Sequence, residues 1–172
     1  MPSTLKITAK ESVTILRSTP EVLEVEATYG HGGKPPPKHS HPSQDEHFEV
    51  LAGVMRARVG DEERTLSAGD TLDIPRRTPH QMWNPGDEPA RVLWQTSPAG
   101  RTEEWFRSID ALHREGRVQS NGMPGPLAFG VLLTEYRDVF RLATGVPDPI
   151  ARVGLSVLGV IGRARGYSPV GG

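Results

Sequence analysis

Three imidazoles and one carboxylate fall in a single ordered pattern between Gly33 and Asn84: His39 and His41, then Glu46, then His80 well downstream. Successive strand residues point to opposite faces, so His39 and His41 can reach the same point in space. Glu46 follows the turn-prone stretch Pro42-Ser43-Gln44-Asp45, which would let it open the next strand with its side chain turned inward. His80 is distant in sequence, and the fold itself must deliver it. Neutral imidazoles and a carboxylate together suit one divalent first-row metal ion: Fe, Mn, Ni, Cu or Zn. A set of three His and one Glu leaves one or two positions open, which a reactive centre needs and a closed structural zinc site lacks.

The flanking sequence reads as short strands and turns. Ser12–Leu16 is rich in β-branched residues, and Val22–Thr28 alternates apolar with polar. Pro35-Pro36-Pro37 stiffens an extended approach to His39 and cannot join a central ladder through its nitrogens. Phe48–Leu51 continues the strand that carries Glu46. In Val54–Val59 the set Met55, Ala57 and Val59 suits the interior, while Val54, Arg56 and Arg58 suit a solvated outer face. Gly60-Asp61 signals a hairpin, Arg64–Leu66 returns, and Thr71–Ile74 leads to Pro75. His80, Met82 and Asn84 share one parity and are expected to point inward, with Gln81 and Trp83 on the other side. Ala90–Thr96 is the last clear strand. Such a series of short antiparallel strands implies a closed barrel or a double-sheet sandwich.

The motifs carry a resemblance. Gly33-x5-His39-x-His41-x4-Glu46-x6-Gly53 resembles the first motif of the cupin superfamily, and Gly69-x5-Pro75-x-Arg77-x2-His80-x3-Asn84 resembles its second. About 15 residues separate them, as in small single-domain metal-binding cupins. Arg77 stands where the second motif has a glycine that serves a turn; it removes no ligand. The resemblance implies a mainly β protein: a cupin (double-stranded β-helix, jelly-roll-like) barrel over residues 1–100, followed by a C-terminal helical extension over 101–172. It also implies that His39, His41, Glu46 and His80 are the metal ligands. His31, His47 and His113 lie outside the pattern and read as structural or solvated; His47 follows Glu46 and faces the other way.

Beyond Arg101 the hydrophobic period becomes helical. Glu103 and Glu104 suit a first turn, Trp105, Ile109 and Leu112 follow at helical spacing, and Gly116 can end the helix. Phe129, Leu133, Tyr136 and Phe140 form a second stripe, with Gly145 as its expected stop. Asp148-Pro149 starts a third helix with an apolar face of Ile150, Val153, Val157 and Ile161. These stripes imply packing on the barrel or a homodimer interface rather than an interfacial membrane helix.

Composition excludes several classes. A formal net charge of −1 gives no electrostatic reason to expect nucleic acid or an anionic membrane as partner. With no cysteine, disulfides and thiolate metal sites are impossible, which fits a cytoplasmic protein. The N-terminus lacks the apolar core of a signal peptide, and no apolar run approaches the roughly 20 residues that span a bilayer. The expected partner is a small molecule. By resemblance the chain is a metal-dependent dioxygenase of quercetinase type, in which Glu46 also takes a proton from a substrate hydroxyl. Phe48, Met55, Met82 and Trp94 are candidates for an apolar pocket wall. Two further readings are a non-catalytic cupin that binds or senses a small ligand, and a metal-dependent isomerase. The isomerase needs another acid/base group, and spacing identifies none.

Overall fold

The computed structural model describes residues 3–145 and 148–170. In chain order the strands are β1 (Thr4–Lys6), β2 (Glu11–Ser18), β3 (Leu23–Tyr29), β4 (His39–Ser40), β5 (Asp45–Ala52), β6 (Val54–Val59), β7 (Glu62–Ser67), β8 (Thr71–Ile74), β9 (His80–Trp83), β10 (Ala90–Ser97) and β11 (Arg141–Leu142). They pair antiparallel into a six-stranded sheet ordered β1-β2-β3-β10-β5-β8 and a five-stranded sheet ordered β11-β4-β9-β6-β7. The two sheets face one another and fill the space between with alternate residues of each strand. Leu23, Val25 and Ala27 of β3, Phe48 and Val50 of β5, and Val92 of β10 meet Met55, Ala57 and Met82 of the second sheet. The outward set of β6 behaves as its composition requires, with Arg56 and Arg58 both paired to Glu63. Gln81 and Trp83 are also buried, so the outer side of β9 is covered rather than solvated.

The two sequence motifs touch at their far ends. The Gly33 amide donates to the Asn84 carbonyl at 2.7 Å. A Cβ on Gly33 would lie 2.9 Å from that oxygen, so the approach excludes any larger residue. Arg77 adopts the left-handed backbone (φ 67°) that the glycine at this place would take without strain. Its amide donates to the His41 carbonyl at 2.7 Å, which locks the turn against the histidine pair.

Three helices follow: α1 (Thr102–Arg114), α2 (Pro126–Glu135) and α3 (Asp148–Ala164). The first forms as expected, with Glu103 and Glu104 at its positive end and His113 and Arg114 at its negative end. One expectation for the other helices fails. The stripe from Phe129 to Phe140 does not continue as one helix to Gly145. Instead α2 ends at Glu135, where the Arg101 guanidinium takes the Glu135 carbonyl and pairs with Asp138 at 2.7 Å, satisfying groups a longer helix would have used. Phe140 then leads into β11, which joins the barrel beside β4. The stripe Ile150, Val153, Val157 and Ile161 does not pack on the chain itself: all four side chains are exposed. Glycines decide which face of α3 is buried. Gly130 of α2 and Gly159 and Gly162 of α3 let the two backbones meet so closely that a Cβ on Gly162 would lie 2.6 Å from the Leu127 carbonyl. Among the described residues no helix is long and apolar enough to cross a membrane.

Candidate metal centre

The centre is built where the two sheets face one another. β4 and β9 pair so that His39 lies directly opposite His80, and His41 follows two residues after His39. From the other sheet β5 supplies Glu46, and the neighbouring β10 supplies Trp94. The three imidazoles that the sequence singles out are brought together: one ring nitrogen from each lies within 4.8 Å of the others, a grouping compatible with a metal ion. Glu46 closes the cluster, its Oε1 3.2 Å from His41 Nε2 and its Oε2 3.0 Å from His80 Nε2. His41, Glu46 and His80 are buried.

Hydrogen bonds on the far side of each ring settle which nitrogen faces inward. His39 Nδ1 meets the Pro37 carbonyl at 2.9 Å, His41 Nδ1 the Val139 carbonyl at 2.6 Å, and His80 Nδ1 the Thr78 carbonyl at 3.0 Å. A carbonyl can only accept, so each Nδ1 donates its proton and each Nε2 presents a lone pair. Such outer hydrogen bonds fix both the tautomer and the ring orientation of a metal-binding histidine. Glu46 Oε1 accepts from Trp94 Nε1–H at 3.0 Å. His41 Nε2 and Glu46 Oε2 find no hydrogen-bond donor among the described residues. Acceptors therefore face acceptors across about 3 Å in a buried space, an arrangement that calls for a positive charge between them. That orphaned pair, together with the neutral imidazole donor set, fits a divalent cation.

The titration of the cluster has the same cause. Burial, then the neighbouring His80 and His41, push His39 down to about 3. Burial would raise the Glu46 carboxyl, but the His41 charge and the His80 contact outweigh it and hold it at about 2. Burial would lower His80, but the Glu46 carboxylate outweighs it and raises the ring above its ordinary value.

A cavity of about 120 Å³ opens from the cluster. Phe48, Met82 and Trp94 line it as the sequence suggested, whereas Met55 is buried in the core and does not reach it. Phe48 and Trp94 stack at 5.4 Å between centroids. The extension supplies the remaining wall. Phe140 stacks on His39 at 4.4 Å and on Trp105 at 4.8 Å, and Phe106 of α1 meets Trp94 edge to face. None of these aromatics of the extension carried a signal for the site, because a stripe at helical spacing reads as core. Glu11 and Tyr29 also line the cavity, and no motif marks them. His47 pairs with Asp73 at 2.7 Å on the outside, and His113 meets the Ile7 carbonyl, so both stay out of the cluster.

A family model described as a cupin domain matches residues 25–96. The barrel has the cupin fold. TcmJ of Streptomyces glaucescens, a tetracenomycin polyketide synthase protein, is 31% identical over 91 residues, 53% of this chain and 54% of TcmJ. An oxidoreductase of Arthrobotrys oligospora is 34% identical over 67 residues, 38% of this chain and 26% of that protein. The chain thus spans about half the length of the first of these relatives and a quarter of the second. Among solved structures, an RmlC-like cupin from Shewanella frigidimarina matches with a TM-score of 0.54 at 18% identity, covering 60% of this chain and 89% of that one. KdgF from Halomonas matches with a TM-score of 0.50 at 23% identity, covering 56% and 87%. Both likenesses concern the fold.

Proposed function

We propose that this cupin holds one divalent first-row metal ion on His39, His41, Glu46 and His80 and uses it on a small aromatic or enolic oxygen compound, as an oxygenase of quercetinase type. The observation that carries the reading is the convergence of buried lone pairs with no donor between them. A bound cation would supply Lewis acidity and, where redox-active, electron transfer. The protein's own residues do the rest. The three Nδ1–H···O=C bonds hold the imidazoles in place, and Trp94 fixes one oxygen of Glu46. The other oxygen, beside His80, takes the proton of a substrate hydroxyl. Phe48, Trp94, Trp105 and Phe140 exclude water and offer ring faces to a flat substrate. The similarity to TcmJ, a tetracenomycin polyketide synthase protein, supports a polyketide-type compound as the substrate of this chain. Oxygen-electrode assays with flavonol and 1,3-diketone substrates, after reconstitution with each of Fe, Mn, Ni, Cu and Zn, test it. Uptake with at least one metal is expected; its absence with all five overturns oxygenation.

The exposed stripe of α3 supports a second proposal, a homodimer. Ile150, Val153, Val157 and Val160 are all exposed and spaced alternately three and four apart, the spacing of a seam between two helices. Such a seam is complementary to itself, so we place the α3 of a second copy on it. Light scattering should return twice the 18.8 kDa chain mass, and the single mass would overturn this. We place the protein in the cytoplasm, where a cysteine-free chain meets no redox demand; cell fractionation checks it.

A further inference from the structure

Glu11 is a carboxylate without a charge partner in a mostly apolar wall. It opens β2 and lies opposite Tyr29 in the β2–β3 register. The Tyr29 side chain lines the same cavity, and no ion pair to Glu11 occurs among the described residues. The neighbouring Lys10 points away, its ammonium on the His31 carbonyl at 2.9 Å. Glu11 lines two spaces at once. One is the cavity of the histidine cluster; the other is an outer cleft bounded by Lys6, Lys10, Ser12 and His31. A carboxyl in that position can meet a ligand on its inner side and exchange its proton with water on its outer side.

We propose that Glu11, beside Tyr29, is a second acid/base residue of this cavity and moves a proton to and from the carbon beside the carbonyl of a small aromatic α-hydroxy ketone. The inference rests on the metal reading in one respect, that the ligand's two oxygens lodge at the histidine cluster. The Glu11 carboxylate removes the carbinol C–H proton. The electron pair of that bond becomes the carbon–carbon double bond of an enediol, and the negative charge falls on the oxygens at the histidines. The protonated Glu11 then returns a proton to either carbon, regenerating the ketone or its isomer. No electron leaves the ligand, so no oxidant is needed. Desolvation in the wall is opposed by the Tyr29 hydrogen bond but raises the carboxyl to about 7, the range in which one group can both take and give a proton near neutrality.

The probe is 2-hydroxyacetophenone, an aromatic α-hydroxy ketone. The metal-loaded protein is incubated with it in D₂O, and deuterium at the carbinol carbon is followed by NMR. The wild type should exchange, with a rate that rises with pH through about 7. Glu11→Gln keeps the shape and should lose about 100-fold or more, and Glu11→Asp should recover part of the rate. Tyr29→Phe should keep activity but move the pH limb upward, because the hydrogen bond that lowers the carboxyl is gone; a residue acting only in structure would not move that limb. Wild-type exchange rates in Glu11→Gln overturn the proposal, as does a metal-loaded wild type that does not exchange. Metal content and melting temperature are read on the same samples, so the two readings fail separately. Glu11-dependent exchange in a protein that retains no metal removes the ion from this proton transfer and leaves the role of Glu11 standing.

Discussion

Replacing Glu11 by Gln should stabilise the protein, and more so the higher the pH. A glutamate in the unfolded chain titrates near 4.5, and Glu11 in the fold titrates at about 7. Between those values the folded protein holds a proton that the unfolded chain has released. The contribution is therefore fully present below pH 4.5 and is lost as pH rises through about 7. The gap corresponds to about 3 kcal/mol at one proton. Glu11 keeps part of its surface on the outer cleft, and water there screens its charge, so about 2 kcal/mol is the better value. For a domain of this size that is about 4–8 °C in melting temperature. Gln keeps the volume and can still accept from Tyr29, but it never has to bury a charge. Calorimetric melts of wild type and variant at pH 4.5 and pH 8 provide the assay. Near pH 4.5 the two should agree within about 2 °C, and at pH 8 the variant should melt about 4–8 °C higher. Equal differences at both pH values, or a variant less stable at pH 8, would show that Glu11 is not a buried, unpaired carboxyl.

Three other changes test the architecture. Arg77→Gly relieves a left-handed residue and should raise stability by about 1 kcal/mol in urea melts; a loss would mean that the contact of its side chain with the Pro42 carbonyl matters more than the backbone. Gly162→Val drives carbon into the Leu127 carbonyl and Val131 and should cost about 2 kcal/mol or more, whereas Gly154→Ala, with open space around it, should cost nothing. Phe140→Ala removes the ring stacked on His39 and should weaken metal binding about tenfold with the melting cooperativity retained, as titration calorimetry would report.

The barrel was readable because its signals are local. Period-two alternation in β3 and β5, turns at Gly53, Gly60 and Gly69, and His39 and His41 two apart all follow from a few neighbouring residues. The convergence of Glu46 and His80 on that pair was readable because both motifs bring them at fixed offsets. What could not be read is what the tertiary fold adds. Phe140 looks like the end of a helical stripe, and only the clasp of Arg101 on Glu135 and Asp138 stops α2 early and turns Phe140 onto His39. The stripe of α3 is truly periodic, yet periodicity does not say which face is buried; Gly159 and Gly162 make the other face fit α2. Glu11 gives no signal at all, since a glutamate at the start of a strand is ordinarily solvated. Its environment comes from Tyr29 across the ladder and from a cavity closed by helices far along the chain.

Metal content per chain bears most directly on the whole account. Protein loaded with each candidate metal, desalted and measured by inductively coupled plasma mass spectrometry, should retain one ion per chain with at least one metal. His39→Ala, His41→Ala and His80→Ala should each lose most of it while keeping a cooperative melt. Undiminished ion content in those three folded variants, or a wild type that keeps no ion from any of the five metals, would contradict the claim that the buried imidazoles and Glu46 converge on a cation.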